Sequence, residues 1–107
     1  MSLFYVTRIP CIESTAVNIT EEAVTFSFNS HPGANRFFQG PIFIKINNTF
    51  TAPETAVPIK FTTIGVPNST VTLMGKNGEA ITSGTWEGTG IYMVFFDRTT
   101  GILELIN

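Results

Sequence analysis

This chain of 107 residues has few charges. Only 13% of its residues are Asp, Glu, Lys or Arg, while 43% are hydrophobic, and ordinary soluble domains carry roughly 25% charged residues. The shortage of charge at this level of hydrophobicity excludes a disordered chain, which combines low hydrophobicity with high charge. One cysteine, Cys11, excludes an intramolecular disulfide. One histidine, His31, leaves too few nitrogen and sulfur ligands for a zinc site of ordinary spacing. Cys11 reads as a small buried hydrophobe, and a nucleophile there would need His31, some twenty residues away in a Pro/Gly loop, as its base. No run approaches the ~20 apolar residues of a membrane helix. The opening Met-Ser-Leu-Phe-Tyr-Val-Thr-Arg-Ile-Pro has no basic leader ahead of an apolar core, so no signal peptide is expected.

The six basic residues, Arg8, Arg36, Lys45, Lys60, Lys76 and Arg98, never form a run, and the formal net charge is −2. Nucleic-acid binding calls for a concentrated basic patch that releases counterions, so no nucleic acid is expected as partner. A free monomer with so few charges is poorly protected against association. A subunit whose surface is partly covered in an assembly escapes that problem, and the composition therefore points to an oligomer or a larger assembly.

What the sequence does contain is strand grammar. In Ala23-Val-Thr-Phe-Ser-Phe-Asn29, Val24, Phe26 and Phe28 share one face and Thr25 and Ser27 the other, the period-two pattern of a half-buried strand. Ile42, Ile44 and Ile46 alternate with Phe43 and Lys45 in the same way, and Val57, Ile59 and Phe61 follow. Pro58 cannot donate to a ladder, which predicts an edge strand or a strand beginning after it. Val71 and Leu73 face in, and Asn77-Gly78 predicts a type I′ hairpin turn leading back through Ala80–Thr82. A final hairpin, apolar on both faces, runs from Gly90 to Ile106 and turns at Asp97-Arg-Thr-Thr-Gly101. Residues 3–9 suggest an edge strand or extended arm, and 11–22 are mixed, with room for a helical turn. The expected fold is all-β: a small single-domain β-sandwich or barrel of about seven to eight short antiparallel strands, with an N-terminal arm at 1–22 and the sandwich domain at 23–107.

No catalytic constellation emerges. Glu21 and Glu22 are adjacent and read as a solvated loop, and Asp97, the sole aspartate, opens a turn. Gly84, Gly88 and Gly90 precede a strand, whereas a phosphate loop leads into a helix. Neither an enzyme nor a cofactor or metal is expected. The remaining candidates are aromatic: Phe37 and Phe38 beside a loop, Phe43 opposite the Ile face, and Trp86 in a glycine loop, as core plugs or interface anchors and, less directly, as sugar-stacking platforms.

Four segments carry a resemblance: Phe-Phe-Gln-Gly-Pro-Ile-Phe-Ile-Lys-Ile-Asn-Asn from Phe37, Ala-Val-Pro-Ile-Lys-Phe from Ala56, Val-Thr-Leu-Met-Gly-Lys-Asn-Gly-Glu-Ala-Ile-Thr from Val71, and Gly-Thr-Gly-Ile-Tyr-Met-Val-Phe-Phe-Asp-Arg from Gly88. Together they resemble small capsid-exterior proteins of crAss-like tailed phages of gut Bacteroidales, the auxiliary capsid or head fibre proteins. Phage tail-fibre domains share a looser form of the last segment, with a Tyr where Phe96 precedes Asp97. Bacterial immunoglobulin-like repeats share the Val-Thr-Leu…Asn-Gly grammar. The likeness covers roughly two-thirds of the chain and transfers no catalytic residue. It implies a structural protein of the virion exterior, made in the host cytoplasm, with the major capsid protein and neighbouring virion subunits as partners and homo-oligomers, trimers included, among its forms. The N-terminal segment would then be a docking arm. Phe4, Tyr5, Ile9, Phe37, Phe38, Phe43 and Trp86 are the interface candidates. The alternative is an immunoglobulin-like module that stacks a glycan or host-surface ligand on Trp86.

Overall fold

The computed structural model describes residues 10–29, 40–66, 69–75, 78–86, 88–97, 100 and 102–106. Among these, seven strands are present and no helix: β1 (Cys11–Ile19), β2 (Val24–Phe28), β3 (Gly40–Ile46), β4 (Ile59–Thr63), β5 (Val71–Met74), β6 (Gly90–Asp97) and β7 (Ile102–Leu105). They close into a barrel in the order β1-β2-β4-β5-β7-β6-β3.

Two strands turn the corners. β1 pairs through Cys11–Glu13 with β3 and through Ser14–Ile19 with β2, and its register shifts between Ser14 and Ala16. β5 pairs through Val71 and Thr72 with β4, then through Leu73 and Met74 with β7. Each corner strand leaves one sheet for the other midway along its length, and a bulge supplies the bend this needs in β1. One sheet is therefore centred on β3, β6 and β7 and the other on β2 and β4.

Alternation decides which residues enter the barrel. Val24, Phe26 and Phe28 are buried, as are Ile42, Ile44, Ile46, Ile59, Phe61, Leu73, Val94 and Leu103. The aromatic side chains meet edge to face: Phe26–Phe61 at 6.1 Å and 76°, Phe28–Phe61 at 5.2 Å and 76°, the geometry favoured by the ring quadrupole. β4 begins at Ile59, directly after Pro58, as proline's missing donor requires.

The structure corrects several expectations. The strands are not uniformly antiparallel: β1/β3, β2/β4 and β5/β7 are parallel pairs. Each parallel pair is joined by a connection of more than a dozen residues that contains another strand or a long loop, the length a crossover demands. β4 is not an edge strand, because it lies between β2 and β5. Residues 11–19 form no helical turn but a nine-residue strand, which pairs with β2 and β3 in the barrel. Cys11 is exposed rather than buried, since its side chain lies on the outward side of the β1/β3 ladder. The type I′ turn expected at Asn77-Gly78 lies partly outside the described residues. The Gly78 N–H donates to the Gly75 carbonyl at 3.0 Å, and Gly78 follows the turn at φ +80°, the position of the left-handed residue in a turn with a G1 bulge.

Candidate functional site

Two places on the barrel follow from the residues singled out in the sequence. The first is Trp86. After the short bridge of Thr82 with Pro58, the chain makes a tight turn in which the Thr82 carbonyl accepts from the N–H groups of Thr85 (3.1 Å) and Trp86 (3.0 Å). The Thr85 hydroxyl donates to the same carbonyl at 3.3 Å. This turn folds the indole back onto the core. Ser83 anchors it: its N–H donates to the Val57 carbonyl at 2.8 Å and its Oγ accepts from the Val57 N–H at 3.1 Å.

Trp86 is buried, with 9% of its surface exposed. Phe50 stacks on it, Tyr92 lies 5.1 Å away at 38°, and the edge of Phe26 meets it at 5.3 Å and 78°. A sugar needs a free ring face, and neighbours cover this one, which corrects the expectation that Trp86 offers a stacking platform. The Trp86 Nε1–H is buried without an acceptor. Beside the indole is a cleft of about 240 Å³ bordered by Thr49, Phe50, Ala52, Ser83, Gly88 and Thr89. Among the described residues its lining contains hydroxyls and apolar groups and no titratable side chain. Among the described residues no group of three His, Cys, Asp or Glu is placed to hold a metal.

The second place is the outward face of the sheet built on β3, β6 and β7. Along β6, Tyr92, Val94 and Phe96 face the core, which leaves Ile91, Met93 and Phe95 outside. Ile91 is 67% exposed and Phe95 39%. Phe43 pairs with Met93 on one side and Cys11 on the other, and is half-buried on this outward face. Ile102 and Ile106 extend the apolar surface along β7 and just beyond it. Among the described residues its charges are Glu13, Lys45, Asp97 and Glu104. Lys45 lies beside Ile91 and is 3.6 Å from Glu13, and Glu104 lies beside Phe95. Both partners of the Lys45–Glu13 pair are about half exposed, so it contributes little to stability.

The face was announced by the unbroken apolar run Ile91–Phe96, in which the outward positions never turn polar. Ile91 and Phe95 are nevertheless absent from the interface candidates read from the sequence. Of the candidates, Phe43 is on this face and Trp86 is in the core. Phe4, Tyr5, Ile9, Phe37 and Phe38 lie outside the described residues. The two described lysines on strands, Lys45 and Lys60, belong to different sheets and form no joint patch.

No protein-family model, no curated protein and no solved structure matches the chain.

Proposed function

We infer that this chain is a structural protein of a tailed-phage virion, seated on the capsid exterior as an auxiliary or head fibre protein, where it docks on and reinforces the shell of major capsid protein. The observation that carries the reading is the outward face around Met93. Ile91 and Phe95 stand in solvent on a barrel whose sequence is only 13% charged, and an apolar surface of this kind marks a place where other protein binds. The resemblance of residues 37–98 to capsid-exterior proteins of crAss-like phages names the setting. The closed barrel suits the role, since every described strand has a neighbour on either side.

The test is binding to shells. Purified chain mixed with assembled capsids of the phage that encodes it should co-sediment saturably and delay release of capsid contents on heating. A chain that stays in the supernatant at saturating concentration contradicts the proposal.

A further inference from the structure

The outward face has a symmetry of its own. Met93 is at its centre. Lys45 lies one strand to one side, on β3, level with Ile91, two residues back along β6. Glu104 lies one strand to the other side, on β7, level with Phe95, two residues forward. A cation and an anion thus occupy diametrically opposite positions about one apolar residue.

We propose that this face binds a second copy of the same chain, through an isologous two-fold interface centred on Met93, with Lys45 of each copy paired to Glu104 of the other. A two-fold axis lying in the interface and perpendicular to the Lys45–Glu104 diagonal carries each charge onto its opposite. One self-complementary patch then forms two ion pairs around an apolar centre. The strands of the two sheets cross steeply in this arrangement, within the range sheets adopt on packing face to face. Strand addition is not available to the dimer, because every strand of the barrel already has two neighbours. Lys45 loses little on association, since its present partner Glu13 is 3.6 Å away and half exposed.

The area bounds the affinity. Four strands at ~4.8 Å spacing and about six residues at ~3.4 Å rise give a face of roughly 400 Å² in projection, about 800 Å² over the two copies, below the standard size of specific interfaces, so the dimer is expected to be weak and reversible. The inference shares its face with the capsid reading and assigns that face to a second copy, which leaves another surface of the dimer to meet the shell; dimerisation is measured on the isolated chain and shell binding separately, so either can fail without the other.

The experiment is sedimentation velocity on the full chain from about 1 to 100 µM, a span that brackets micromolar dissociation constants. A reversible dimer is expected. Phe95→Lys and Ile91→Asp, both at exposed positions, should each weaken it at least about tenfold while leaving the circular dichroism unchanged. In a Glu13→Gln background, which removes the neighbouring carboxylate, Lys45→Glu and Glu104→Lys should each weaken the dimer about tenfold by opposing like charges, and the double exchange should restore it to within about threefold. A monomer throughout the range overturns the proposal. So does a trimer, a dimer indifferent to both apolar substitutions, or a double exchange no tighter than the single ones.

Discussion

Trp86 lies against Phe50 with ring centroids 6.3 Å apart and 24° between their planes. The contact joins the connection between β3 and β4 to the turn before β6, so a residue in a glycine-rich loop becomes part of the core. Trp86→Ala should therefore destabilise the barrel by about 3–5 kcal/mol, as truncation of a buried aromatic does. Trp86→Phe should cost much less, because it also removes a buried N–H that has no acceptor, a group that by itself costs about 1–3 kcal/mol. Urea titration measures both. Equal losses for the two variants, or a Trp86→Ala variant as stable as the parent, would contradict this placement.

Ser14 is the polar counterpart. It is buried at the bulge of β1, where its hydroxyl donates to Asn48 Oδ1 at 2.7 Å and accepts from the Asn47 N–H at 2.8 Å. Ser14→Ala strands both partners and should cost about 1–3 kcal/mol, read as a lower midpoint in urea. Thr15→Ala, at the exposed neighbouring position, should change the stability by less than about 0.5 kcal/mol.

Gly78 and Gly88 both occupy left-handed backbone. Gly78 has φ +80° with open space where a side chain would stand, so Gly78→Ala should lose only the conformational cost, about 1–2 kcal/mol. Gly88 has φ +89°, and a methyl there would lie 3.5 Å from Phe50 Cε1. Gly88→Ala should cost a similar amount, about 1–2 kcal/mol, from the backbone conformation alone, because the added methyl makes an ordinary van der Waals contact with Phe50. A neutral Gly88→Ala variant would sink the account of this loop.

Cys11 is exposed beside Phe43. A thiol reagent should label it fully in the native protein, at a rate close to that in urea. Labelling that waits on unfolding would place the thiol in the interior.

Much of the barrel is legible in the sequence, for a physical reason. β2, β3 and β4 each bury one face and leave the other half-covered, so their side chains alternate and announce the strand. β1 hides because the residue it buries fully is Ser14, and the bulge beside it breaks the period of two. The parallel neighbours are illegible because partner choice depends on crossovers rather than on local pattern. Trp86 is misread for a related reason: its glycine-rich setting suggests exposure, while the side chain that covers it, Phe50, comes from a connection far along the chain. On the outer face the sequence is more candid. The absence of polar residues at positions 91, 93 and 95 is the signal, and the strand register shows that they share one side.

The central claim is that the face around Met93 is covered in the assembled state. Hydroxyl-radical footprinting of purified particles of the encoding phage, compared with dilute free chain, tests it most directly. The account predicts that the chain is present in the particles and that oxidation of Ile91, Met93 and Phe95 falls at least about fivefold on assembly, as expected for a fully desolvated interface core. Particles that lack the chain, or that carry it with these three residues oxidised as readily as in the free protein, would contradict it.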